Sequence, residues 1–309
     1  MTTEKVSEDL QIASNAAKVN SITCKSQVER RSEPMSWDYS TIRTELRNGV
    51  LWATIDNPPI NLIDERFLAD LIALLDETEA DDSARVVVFR SADPDFFIPH
   101  VDVQRIAQYT ATAATSGGPD DISLGALYRR LSEARPVTIA ALESRARGAG
   151  AEFLYACDMR FASLERAVIG QPEVGVGTFP GAGAVQQLVR LAGRGQAMQM
   201  ILGAEDLDAS EAERIGVVNK ALPDDELIPY VERLAKRIAR FPEAAVRLAK
   251  RRINAVGLPA KEDVHVDAGF FQILARDESA SARLGALIQR GMQERSRTEL
   301  EFGTAIGEL

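Results

Sequence analysis

A chain of 309 residues that is 45% apolar and 27% charged can bury a substantial core and has the balance of a globular protein of one or two domains. Its 36 Lys and Arg against 46 Asp and Glu give a formal net charge of -10, which argues against nucleic acid as a partner, because phosphate binding draws on cationic side chains. Two cysteines, Cys24 in the polar leader and Cys157 in an apolar strand pattern, and two histidines, His100 and His265, suggest no disulfide framework, cannot build a three-histidine zinc site, and leave a metal unexpected.

Residues 1–34 mix acidic and basic side chains and lack both an apolar secretory core and the acid-poor character of a transit peptide, so they read as a disordered leader ahead of Met35. No apolar run is long enough to span a bilayer. A cytoplasmic, reducing location is therefore expected. The fold opens with alternating residues from Thr41 to Leu46, an Asn48-Gly49 turn signal and a second apolar strand from Val50 to Ile55, which together predict a hairpin. After Asn57-Pro58-Pro59, Asp64 is placed to cap a helix carrying Phe67, Leu68, Leu71, Ile72, Leu74 and Leu75 at helical spacing. Val86 to Phe89 and Val137 to Leu142 are continuous apolar runs of buried strands. Between them the small, polar stretch Thr110 to Ser123 predicts a surface loop and a candidate lid.

The most informative stretch runs from Ala146 to Pro180. Gly148-Ala149-Gly150 forms a small-residue turn directly before Glu152, and Gly170-Gln171-Pro172 brings in a second carboxylate, Glu173. If the apolar residues after the turn form a helix, its first amides face whatever approaches the turn and favour developing negative charge. A backbone anion hole beside two carboxylates suits acid/base chemistry. Beyond Pro180 the pattern turns helical. Ala209 to Ile215 forms a short amphipathic helix stopped by Gly216 before a strand. Helical patterns follow from Leu227, from Ala245 and from Val266, whose apolar faces exceed what one hairpin needs.

Four ordered motifs, Gly148-Ala149-Gly150-Ala151-Glu152, Ala156-Cys157-Asp158-Met159-Arg160-Phe161-Ala162, Gly170-Gln171-Pro172-Glu173 and Gly177-Thr178-Phe179-Pro180-Gly181, resemble the enoyl-CoA hydratase/isomerase (crotonase) family. The stretch from Ala209 to Asn219 is similar as well. The resemblance implies an α/β fold, a spiral of repeated ββα units, with a core over residues 35–223 and a helical oligomerisation region over 224–309. It also implies a homotrimer or a dimer of trimers. The implied substrate is an acyl-CoA thioester, with coenzyme A carried by the substrate and no other cofactor. The implied reaction is hydration of a trans-2-enoyl-CoA to a 3-hydroxyacyl-CoA by Glu152 and Glu173. Isomerisation, another crotonase-type thioester reaction, or non-catalytic binding of a CoA thioester are the alternatives.

By position, the resemblance assigns the oxyanion donors to the N–H groups of Val101 and Ala149, and substrate contacts to Ile98, His100, Gly148 and Arg290, the last toward a CoA phosphate. Two departures stand out. Val185-Gln186-Gln187 replaces a family Thr-Gln-Arg, and Pro99-His100 stands where a small residue and glycine are usual. Proline restricts Ile98 to extended conformations, and a histidine resists positive φ, so the path of this loop is open. His100 is either a further polar group at the thioester or is turned away and packs against the loop or CoA.

Overall fold

The computed structural model describes residues 37, 39–116 and 123–309; the leader over residues 1–34 lies outside them. In chain order the elements begin with β1 (Ile42–Arg47), β2 (Val50–Ile55), α1 (Glu65–Ala80), β3 (Val86–Ser91), β4 (Phe96–Ile98), α2 (Ile106–Ala113) and α3 (Leu124–Glu133). They continue with β5 (Val137–Leu142), β6 (Arg145–Arg147), α4 (Ala149–Ala156), β7 (Met159–Ser163), β8 (Val168–Gly170), α5 (Ala184–Gly203), β9 (Asp206–Asp208), α6 (Ala209–Arg214) and β10 (Lys220–Leu222). The C-terminal helices are α7 (Asp224–Ala239), α8 (Glu243–Gly257), α9 (Lys261–Leu274), α10 (Glu278–Gln289), α11 (Arg297–Leu300) and α12 (Phe302–Gly307).

The opening hairpin forms as its turn signal predicts. Asn48 and Gly49 both take positive φ, 54° and 76°, and β1 pairs antiparallel with β2. Asp64 caps α1, its carboxylate accepting from the Phe67 N–H at 2.9 Å. From β3 to β8 the strands are dealt alternately to two sheets. One has the order β1-β2-β3-β5-β7-β10 and the other β4-β6-β8-β9. The units β3-β4-α2, β5-β6-α4 and β7-β8-α5 therefore each lend the first strand to the larger sheet and the second to the smaller, and successive units wind as a spiral. Beyond the hairpin the larger sheet is parallel, and β5 is buried along its whole length, as its continuous apolar run requires.

The main core lies between the sheets and α1, α3 and α4. Phe153 of α4 stands at its centre, with its ring against those of Phe67, Phe89, Phe97 and Tyr128. The opposite face of the large sheet is closed by α7, whose Leu227, Val231, Ala235 and Ala239 pack on Val50, Val86, Val88, Val137 and Ile139. That face, part of the apolar excess read from the sequence, is covered within the chain by the large sheet.

Two other expectations change. The predicted loop from Thr110 begins as the end of α2 and a 3-10 turn, Ala114–Ser116, because alanines there favour helix and Tyr109 and Ala113 have a core to face. The rest of the candidate lid, residues 117–122, lies outside the described residues. Cys157, read as part of a strand, ends α4 instead.

The tightest junction is that between α4 and β4. A Cβ on Gly150 would stand 2.0 Å from the carbonyl oxygen of Ile98, whereas one on Gly285, in the middle of α10, would meet nothing within 4 Å. Gly150→Ala is expected to lower stability by about 1–3 kcal/mol or more. Gly285→Ala is expected to raise it by about 0.5–1 kcal/mol through helix propensity. Urea unfolding of the two variants reads both signs.

Candidate active site

The approach of α4 to β4 places the first turn of α4 beside the loop that leaves β4. The turn is held at both ends: the Gly148 N–H donates to the Gly170 carbonyl at 3.0 Å, and the Tyr128 hydroxyl donates to the Ala149 carbonyl at 2.9 Å. Gly148 takes φ 52°, and a Cβ there would come within 2.9 Å of Glu173 Oε1, so only glycine brings the two this close. The first N–H groups of a helix have no intrahelical acceptor, and Ala149, at that position in α4, lines a cleft with about 830 Å³ of space between its walls, part of it open to solvent.

Val101 lines the same cleft. It forms an isolated parallel bridge with Ile63, in which the Ile63 N–H donates to the His100 carbonyl at 3.0 Å and the Asp102 N–H to the Ile63 carbonyl at 2.9 Å. Because a trans peptide sets C=O and N–H on opposite sides, the bond to the His100 carbonyl turns the Val101 N–H away from Ile63. Ile63 is itself fixed by a buried turn, in which Asn61 Oδ1 accepts from the Asn57 N–H at 2.8 Å and the Asn61 amide donates to Ser91 Oγ at 2.9 Å. The Pro99-His100 departure is thus accommodated without positive φ at either residue.

Glu152 and Glu173 both face the cleft. Glu152 is 3% exposed, and its Oε1 accepts from the N–H groups of Ala182 and Ala184 at 2.8 and 2.9 Å. Burial pushes its carboxyl up to about 7, partly offset by those main-chain donors and reinforced by the nearby Asp267. Glu173 Oε2 accepts from the Gln171 amide at 3.0 Å. Burial and then the charge of Glu152 push its carboxyl up to about 8. The two titrate as a pair, and at neutral pH the favoured single anion sits on Glu152, which has the two donors, with the proton on Glu173.

Asp267, which the sequence had not singled out, is buried on α9 and held by the Gln186 amide at 3.2 Å. Gln186 belongs to the Val185-Gln186-Gln187 departure, so that change of motif carries a contact of its own. The remaining walls are mainly apolar and come from α2, α9, α10 and α12, through Ile106, Ala268, Phe271, Leu284 and Phe302 among others. Tyr109 is also in the wall, and its buried hydroxyl has no partner among the described residues.

Other predicted residues lie differently. Phe271, on α9, packs over Gly181 and lines the cleft. Ile98 is fully buried beneath Gly150 and reaches the site through its backbone path. Arg290 is exposed at the end of α10, outside the residues that line the cleft.

His100 lines the cleft but is tied from behind. Its Nδ1 lies 2.6 Å from the Val101 carbonyl and its Nε2 3.1 Å from Glu299 Oε2, while its ring packs near Phe302. Burial opposes the imidazolium, but the charge and hydrogen bond of Glu299 outweigh it, so His100 is held above its ordinary value. Burial likewise opposes the Glu299 charge, yet His100 and the Gln293 N–H hold that carboxyl below the usual range. Sequence reading missed Glu299, which lies 199 positions from its partner. The one available signal, Ser296-Arg297-Thr298-Glu299, reads only as a helix cap, and the Glu299 N–H does donate to Ser296 Oγ at 3.2 Å.

Comparison with known proteins agrees with this geometry. The family model for enoyl-CoA hydratase/isomerase matches residues 45–288. Over 218 residues the chain is 33% identical to the short-chain-enoyl-CoA hydratase of Clostridium acetobutylicum, covering 70% of this chain and 82% of that one. Over 223 residues it is 34% identical to the crotonyl-CoA hydratase of Syntrophomonas wolfei, covering 71% and 83%. Among solved structures, a provisionally named enoyl-CoA hydratase from Streptomyces avermitilis superposes with a TM-score of 0.88 at 52% identity, covering 89% of this chain and 99% of that one. With the ββα spiral, the four motifs and a match across most of its length, the chain belongs to the enoyl-CoA hydratase/isomerase family.

Proposed function

We propose that the protein hydrates a trans-2-enoyl-CoA to a 3-hydroxyacyl-CoA. The observation that carries this reading is the pair of carboxylates, buried Glu152 and partly buried Glu173, in one cleft that Val101 and Ala149 also line. Glu152, ionised, takes a proton from water as its oxygen bonds to C3 of the enoyl chain. The C2–C3 π electrons move onto the thioester oxygen, where the Val101 and Ala149 N–H groups stabilise the enolate. Collapse of the enolate takes a proton from Glu173 onto C2, and proton exchange returns the pair to its starting state.

The curated relatives quoted above are named as hydratases of short enoyl thioesters, which supports a short acyl chain in the apolar cleft. The family description also includes isomerases, but two carboxylates set to opposite protonation states favour addition of water. The reaction so written needs no cofactor beyond the CoA of the substrate, and we assign it to the cytoplasm. A homotrimer or a dimer of trimers is part of the same proposal. It is supported by apolar side chains left outside the core on α8 and α9, with Ile253 69%, Val256 83% and Ile273 67% exposed.

Glu152→Gln and Glu173→Gln are each expected to lower kcat by about 10²–10⁴-fold while the protein stays folded. Loss of absorbance of a conjugated enoyl thioester measures this, and full activity in either variant would remove that residue from the mechanism. In the wild type, kcat/KM should rise with pH as Glu152 ionises around 7 and fall as Glu173 loses its proton around 8. A bell-shaped profile is expected, and a rate flat from acid to alkaline pH would contradict the assignment. Light scattering should give a mass that is a multiple of three 33.7 kDa chains, and a monomer mass at micromolar concentration would contradict the assembly.

A further inference from the structure

We propose that Glu299 is a positioning residue for both main-chain donors of the cleft, fixing the Val101 side through His100 and the Ala149 side through Arg147. The proposal rests on the oxyanion role given above to Val101 and Ala149. Glu299 itself is 0% exposed and touches no reacting atom in that scheme.

On the Val101 side, the loop after β4 is pinned to Ile63 along one edge. Its other edge is held by the His100 ring, which bridges the Val101 carbonyl and Glu299 Oε2. Both partners are acceptors, so both ring nitrogens must carry a proton, and only the imidazolium satisfies the two at once. A neutral ring would set a lone pair against one of the oxygens. The turn before α11 grips the same loop a second time. The Gln293 N–H donates to Glu299 Oε2 at 2.8 Å, and the Gln293 amide donates to Asp102 Oδ1 at 2.8 Å.

On the Ala149 side, Arg147 directly precedes the Gly148 turn and is 1% exposed. Its guanidinium donates to the Glu299 carbonyl at 3.0 Å and the Leu300 carbonyl at 3.0 Å. It also forms a two-bond pair with Asp206, both bonds 2.7 Å long. A single four-residue helix thus braces the chain next to each donor. Two cations and two anions meet there: His100 and Arg147 with Glu299 and Asp206. The other titratable groups around His100 are Asp102, which follows Val101, and Glu173, across the Gly148 turn. Neither bonds the imidazole, so Glu299 is the counter-ion that keeps it charged.

The test uses the full chain. The protein has only His100 and His265, and His265 is exposed on α9, so a His265→Gln variant assigns the two ring signals in nitrogen–proton NMR. His100 is expected to keep both ring protons to a pH above the ordinary imidazole range, because the Glu299 carboxylate faces its ring. A ring that gives up a proton within or below that ordinary range would overturn the proposal without any variant at Glu299. Glu299→Gln should then lower kcat about tenfold or more with KM within about threefold. The defect should deepen as pH rises, because a buried His100 without its counter-ion loses its proton at lower pH. Partial unfolding would instead lower kcat evenly across pH. Unchanged kcat in Glu299→Gln, with an active wild type, would overturn the brace and leave the oxyanion reading standing. A wild type that turns over no enoyl thioester would overturn that reading, and with it the catalytic role of the brace.

Discussion

The contact on which the site depends is the one between the first turn of α4 and the carbonyl end of β4. It exists because Gly150 presents no side chain to the Ile98 carbonyl. That contact sets α4 close enough for Ala149 to share a cleft with Val101, and it carries Glu152 inward on the same turn. The bridge to Ile63 then decides which way the Val101 N–H points. The large sheet and the Phe153 cluster supply the rigidity under this junction, since a packed aromatic centre leaves α4 little room to shift.

Electrostatics follows from where the polypeptide buries its carboxylates. An apolar cleft raises both glutamates, and the Ala182 and Ala184 N–H groups then separate them by favouring charge on Glu152. A carboxylic acid and a carboxylate side by side result from one desolvated space with unequal donors. Behind the wall, α11 contributes Glu299 to a pair with His100, beside the Arg147–Asp206 pair between β6 and β9. The C-terminal segment is therefore part of the site's scaffold as well as of its apolar lining, through Phe302 and Met292.

Local signals made much of this legible. Asn48-Gly49, the Asp64 cap, the apolar runs of β3 and β5 and the Gly148-Ala149-Gly150 turn each act through neighbouring residues, and each formed where the sequence placed it. The glutamates could be singled out because they interrupt glycine-rich, apolar motifs. What the sequence hid was long-range. Nothing near His100 announces Glu299, and Asp267 looked like any helical acid until α9 set it against Gln186. The apolar residues of α7 and α9 were visible as faces, but periodicity does not say what a face meets. The sheet took that of α7, and the cleft took Phe271.

The most direct test of the central claim is mass spectrometry of a short trans-2-enoyl-CoA incubated with the protein in deuterium oxide. The account predicts a 3-hydroxyacyl-CoA, heavier than the substrate by one water and carrying one non-exchanging deuterium at C2. An isomeric enoyl thioester with no added water, or release of free coenzyme A, would contradict it.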